Sequence, residues 1–153
     1  MPADAGLARA ADALRPGGWL ALWWTVFGDP GGPAPFAEAL RPGLERIAPT
    51  VLAQSSAGTD GGRTPHGTDT ERRVGEIDRS GRFGPVDVRR VRWTQRFTPG
   101  EVRALYATFS PWRILADAVR AEGLDHVEAV ARDVFGGQVD LTFVTVLYLA
   151  ERR

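Results

Sequence analysis

The sequence predicts an α/β fold in which helices cover a small sheet of three strands, and that sheet reads as incomplete. Three observations carry the prediction. The stretch "WLALWWTV", Trp19 to Val26, is an unbroken apolar run between Pro16-Gly17-Gly18 and Gly28-Asp29-Pro30. Such a run is the pattern of a strand buried on both faces inside a parallel, helix-covered sheet. The stretch "QVDLTFVTVLYL", Gln138 to Leu149, first alternates and then becomes wholly apolar, so it enters at a sheet's rim and runs into its middle. Between these two lie segments with helix caps and helical apolar stripes. Three strands alone cannot cover all of those faces.

Each element has its own local justification. Ala5 to Leu14 places Leu7, Ala10, Ala11 and Leu14 on one helical stripe, and Pro16 with Gly17-Gly18 ends it. After the first strand, a helix from about Pro35 carries Phe36, Leu40, Leu44 and Ile47, with Pro42 set to kink or split it. Ser55 to Arg82 is polar and rich in Gly, Thr and Asp, and reads as a flexible insertion without regular structure. The second strand is "VDVRRVRWTQRF", Val86 to Phe97. Its apolar phase flips near Arg89-Arg90, which predicts a β-bulge. Thr98, Pro99 and Glu101 open the next helix as N-cap, first residue and capping-box partner. Val102, Leu105, Tyr106 and Phe109 form its buried stripe. Ser110-Pro111 starts another helix by the same logic, ending near Gly123, and Asp125 caps a third that Gly136-Gly137 stop.

Composition bounds the chemistry. A chain of 153 residues fits a single domain that buries roughly 70% of its unfolded surface. Nineteen basic and nineteen acidic residues give zero net charge, so there is no long-range pull toward nucleic acid or an anionic membrane. No apolar segment reaches the ~20 residues of a membrane span. The N-terminus lacks a signal-peptide pattern, and the expectation is a cytoplasmic protein. There is no cysteine, hence no thiolate or disulfide chemistry. There is also no lysine, hence no Schiff base.

A helix ending in "LRPGG" followed by "WLALWWTV" resembles the fifth-strand region of class I S-adenosylmethionine-dependent methyltransferases, of the methyltransferase type 11-like group. "VRWTQRFTPGEVRALYATFSPWRIL" is similar to the strand, capped helix and turn that follow in that group, and "VDLTFVTVLYLAERR" to its terminal antiparallel strand. The resemblance implies a partial Rossmann-like methyltransferase sheet, with strands in the family order 5-7-6 and the last strand antiparallel in the centre. It implies the acceptor-substrate half of a small-molecule methyltransferase, with S-adenosylmethionine as the family's cofactor. The Gly-rich turn and ribose-binding acid that would hold that cofactor are missing. "GDPGG" and "DGGRTPHG" read as turns rather than as a cofactor cradle. A truncated gene product, a fragment with a wrongly called start, or one half of a split enzyme with a separate amino-terminal half, in each case inactive alone, follows from this reading. The alternative is a non-enzymatic small-molecule-binding or protein-interaction module derived from the same fold.

The candidate substrate residues are Thr25 and Phe27 near the carboxyl end of the first strand, with Tyr106, Thr108, Ser110 and Trp112 around a helix junction. Core packing rivals this role for Tyr106, and N-capping explains Ser110. Trp23 and Trp24 must point to opposite faces, as strand neighbours do. His66 and His126 have no carboxylate at ligand spacing, which makes a poor metal site. Arg89, Arg90, Arg92 and Arg96 read as an ion-paired strand surface rather than a nucleic-acid groove. Methyl transfer can rest on positioning alone, so a missing acid/base pair does not argue against it. Finally, Trp19 to Val26 contains no charge, proline or bulge to protect a free edge, so self-association through that strand is expected.

Overall fold

The computed structural model describes residues 3–28, 32–56 and 67–153. In chain order they form α1 (Ala3–Ala13), β1 (Trp19–Phe27), α2 (Pro35–Ile47), α3 (Pro49–Ser56), α4 (Thr70–Arg79) and β2 (Asp87–Phe97). These are followed by α5 (Pro99–Ala107), α6 (Ser110–Arg113), α7 (Asp117–Asp133) and β3 (Val139–Glu151). The sheet has the order β1-β3-β2. Both ladders are antiparallel. Gly17 N–H donates to Arg152 O while Gly28 N–H donates to Thr142 O, so β1 ascends as β3 descends. Thr94 meets Thr142, Arg96 meets Asp140, and Phe83 bridges Arg152, which gives β2 the same relation to β3.

The chain divides into two compact units. The first comprises Met1–Val26, Thr64–Arg92 and Val144–Arg153. Its core holds Leu7 and Ala11 of α1, Leu20 of β1, Ile77 of α4, Phe83, and Val144, Val146, Tyr148 and Ala150 of β3. Leu22, Trp24, Val26, Val86 and Val88 pack against that core. Every strand residue in these two sets is even-numbered, as a period of two demands of one buried face. Arg82 and Asp12 form an ion pair at the surface of this unit.

The second unit comprises Phe27–Arg63 and Trp93–Phe143. Phe36, Leu40 and Leu44 of α2 meet Leu124, Val127 and Ala131 of α7, with Val102 and Tyr106 of α5 and Trp112 of α6. The strand residues buried here are Val139, Leu141 and Phe143, with Phe97 packed against them, and all are odd-numbered. The α5 terminus carries the complete capping box. Thr98 N–H donates to Glu101 Oε2 at 2.8 Å, and Glu101 N–H donates to Thr98 Oγ1 at 3.4 Å.

These facts correct the expected fold class. The sheet is a three-stranded antiparallel one within a small mixed α/β fold, and not part of a parallel Rossmann-like methyltransferase sheet. The placement of the last strand between the other two, antiparallel to both, does hold. The expectation that Trp19–Val26 is buried on both faces fails, because burial in β1 alternates and Trp19 and Trp23 are 59% and 65% exposed. No missing parallel neighbour is therefore needed to explain its apolar run.

The phase flip in β2 has a cause other than a bulge at Arg89-Arg90. Val86 and Val88 share parity with Thr94 and Arg96, which face even-numbered residues of β3. Register is thus continuous from Val86 to Arg96. Val86 and Val88 pack on the first unit's core and Phe97 on the second's, while Val91 and Trp93 are exposed. The one-residue offset lies earlier, between the Phe83–Arg152 bridge and Val86, at Gly84-Pro85.

Three helical boundaries also differ. Residues 70–79, expected to lack regular structure within the 55–82 insertion, form α4, with Asp69 as N-cap accepting from Arg72 N–H at 3.1 Å. Its inward stripe is Arg73, Glu76 and Ile77, two of them charged, so apolar periodicity could not reveal it. Residues 57–66 of that insertion lie outside the described residues. Pro42 does not split α2, which runs unbroken from Pro35 to Ile47. Gly123 and Asp125, read as a stop and a start, both lie inside the single helix α7.

Gly123 is there for space. A Cβ at that position would sit 2.7 Å from Cζ3 of the fully buried Trp112. Alanine gains about 1 kcal/mol in helix propensity over glycine. Overpacking against a fixed ring costs about 1–3 kcal/mol, so the clash should win. Gly123→Ala is expected to lower the urea midpoint of unfolding, and a raised midpoint would show that Trp112 yields.

Candidate interaction surface

The antiparallel order leaves β1 and β2 as the two edges of the sheet, and their side chains treat those edges differently. Along β2, Asp87, Arg89, Arg90, Arg92 and Arg96 place charge over almost the whole strand. Arg89 pairs with Asp87 at 3.0 Å, and Arg96 grips Asp140 through two bonds of 2.7 and 2.9 Å. Charge on an edge opposes pairing with another chain, because a docking strand would have to desolvate it. The expected ion-paired reading of these arginines therefore holds for Arg89 and Arg96.

Along β1 nothing plays that part. From Trp19 to Phe27 there is no charged residue and no proline. Among the described residues no strand lies on its outer side. Its odd-numbered residues Trp19, Ala21, Trp23 and Thr25 are exposed, while Leu20 is buried and Leu22, Trp24 and Val26 are partly so. Thr25 Oγ1 lies 2.8 Å from Thr145 Oγ1 of β3, which ties this exposed row to the central strand. Two indoles and an unprotected backbone edge thus occupy one strand. The sequence showed the uncharged run but not which half of it faces out, because both halves are apolar.

The residues expected to bind an acceptor are only partly brought together. Phe27, Tyr106 and Trp112 join one aromatic cluster in the second unit. Phe27 lies edge-on to Tyr106 at 5.8 Å, and Tyr106 lies 6.1 Å from Trp112. Tyr106 and Trp112 are buried, and desolvation pushes the Tyr106 hydroxyl well above its ordinary titration range. Their role in the fold is packing. Thr108 is exposed at the C-cap of α5 and donates to Leu105 O at 2.6 Å. Ser110 is the first residue of α6 and not its cap. The N-cap is Phe109, with no side-chain cap bond, so the expected N-cap role of Ser110 is not realised. Thr25 belongs to the first unit and bonds Thr145.

His126 Nε2 lies 3.3 Å from Leu40 O and its ring sits over Gly43, a helix-packing role. His66, most of "DGGRTPHG" and the middle of "GDPGG" fall outside the described residues. Among the described residues no group of three or more His, Cys, Asp or Glu could hold a metal ion. No helix among them is long and apolar enough to cross a membrane.

No family model matches the chain, and no curated protein matches it. Together with the antiparallel sheet, this overturns the methyltransferase resemblance. The expectations of methylation, of an acceptor-substrate half and of S-adenosylmethionine as cofactor fall with it. The short strings that carried the resemblance, "LRPGG" above all, encode a helix stop and a turn. Any α/β chain needs those.

The exposed electrostatics give a pH prediction. Hydrogen bonding and charge from Arg96 hold the Asp140 carboxyl below its ordinary value, and the Thr98 N–H and hydroxyl do the same for Glu101. A carboxylate depressed in the folded state contributes stability that is complete above its unfolded pKa, near 4. That contribution is lost as pH falls through the lower, folded value. Asp140→Asn and Glu101→Gln should each flatten the fall of the urea midpoint below about pH 4. An unchanged acid limb in both variants would contradict this account.

Proposed function

We propose that the chain is an assembly module that joins a second copy of itself through the free edge of β1. The observation that carries this reading is the contrast between the two edges of one sheet. The β2 edge is charged, and the β1 edge is uncharged from Trp19 to Phe27 and apolar but for Thr25. Two β1 strands meeting antiparallel around a two-fold axis form a self-complementary contact, the commonest geometry for homodimers. Each then completes the other's backbone hydrogen bonds. Paired residues of antiparallel strands point to the same side, so the exposed indoles of both copies gather on one face of the joined sheet. Zero net charge adds no repulsion between copies.

Sedimentation of the full chain across a concentration series tests it. The expected result is a reversible dimer. Ala21→Lys and Trp23→Lys place charge at exposed positions of β1 and should each shift the equilibrium to monomer, with unchanged far-ultraviolet circular dichroism. Val91→Lys, at a 56% exposed site on β2, should leave the dimer intact. A wild-type chain that stays monomeric at high concentration overturns the reading, as does a dimer indifferent to both β1 lysines.

A further inference from the structure

The first unit contains a cleft between α1 and α4, floored by β1. Leu7 and Ala10 of α1, Leu20 and Leu22 of β1 and Ile77 of α4 give it apolar walls, and its volume is about 250 Å³. One end is built differently. Arg73 and Glu76 of α4 line it and are only 7% and 8% exposed. Arg73 Nη1 lies 2.7 Å from Glu76 Oε2, and Arg73 Nη2 donates to Glu76 Oε1 at 3.2 Å. The Arg73 guanidinium also stands 5.5 Å from the ring centre of Trp24, the remaining wall.

Trp24 is clamped in place. A Cβ on Gly67 would approach its Cγ to 2.3 Å, so only glycine lets the chain pass so close to the indole. Tyr148 meets Trp24 edge-on at 5.9 Å, and its hydroxyl donates to Gly67 O at 3.2 Å. The indole is thus held by a glycine, a tyrosine and a guanidinium before anything enters the cleft. Preformed, largely apolar concavities with a few fixed polar groups are the usual form of small-molecule sites. A buried ion pair is not needed for folding, since apolar residues of similar volume commonly serve as well.

We propose that this cleft is a binding site for a neutral aromatic molecule of one or two rings. Charge selects against ions. Within the lining the Arg73 guanidinium and the Glu76 carboxylate neutralise each other; Arg72 also bonds Glu76, at 3.2 Å, but its side chain is 53% exposed and outside the lining, so water screens its charge. An entering anion would therefore face Glu76 and an entering cation would face Arg73, both largely buried. Size selects the ring count. Cavities of about 150 Å³ hold benzene, and drug-sized ligands fill about 300–1,000 Å³. The volume here lies between those limits. The clamped indole supplies an aromatic wall against which a flat ring stacks or abuts.

The test uses the full chain with 2-naphthol, neutral at pH 7, and 2-naphthoate, its anionic counterpart, followed by two-dimensional NMR. The expected result is saturable shifts at the Trp24 indole N–H and the Ile77 and Leu20 methyls with 2-naphthol, and at least tenfold weaker binding of 2-naphthoate. Ala10→Phe fills the cleft from α1 and should weaken 2-naphthol binding at least tenfold. If that variant does not fold, Leu22→Trp, which fills it from β1, takes its place. Equal or tighter binding of 2-naphthoate, shifts confined to other parts of the chain, or undiminished binding by a folded cleft-filling variant would each overturn the assignment. So would the absence of any saturable shift.

Discussion

Each compact unit depends on the half of β3 that it contains, which buries one parity of its side chains. Val144, Val146, Tyr148 and Ala150 are closed off in the core of the first unit, and Val139, Leu141 and Phe143 in that of the second. A strand side chain has no freedom to choose its face, since parity decides it. A slip of one residue would carry Asp140 and Thr142 toward an apolar core and expose Val139 and Leu141. Register is therefore fixed by the strand with most to lose. The neighbouring strands inherit it through antiparallel ladders, and what they expose is settled by the same parity.

Sequence reasoning read the parts whose signals are local. The capping box at Thr98 and Glu101, the stripe Phe36-Leu40-Leu44 and, to within two residues, the limits of all three strands need only a few consecutive residues to specify them. It failed where the deciding atom is distant in the chain. Gly123 looked like a helix stop because nothing nearby reveals that the Trp112 ring occupies the space above it. The α4 stripe was hidden because Arg73 and Glu76 count as polar in sequence, yet their mutual pairing lets both be buried. Of the candidate site, the uncharged edge of β1 was legible, while the cleft that uses Trp24 was not.

The methyltransferase resemblance failed for a related reason. A turn, a strand of tryptophans and a capped helix recur wherever an α/β chain needs them. Only the direction and covering of the strands distinguish one sheet from another. Here both ladders are antiparallel, and the exposure of Trp19 and Trp23 agrees with that. A strand inside a doubly covered parallel sheet would have no place for two indoles in solvent.

The adjacent pair Trp23-Trp24 shows how far one geometric rule reaches. Trp23 stands in solvent on the unprotected edge strand, where an indole favours association. Trp24, one residue on, turns inward against Arg73 and Tyr148, where the same indole becomes the fixed wall of a cleft. Neither role follows from residue type, because the type is identical. It follows from period two, from the glycine at 67 that makes room on one side, and from the lack, among the described residues, of any covering element on the other. A strand that must bury one face for stability presents its second face at no further conformational cost, and in β1 both faces carry tryptophan.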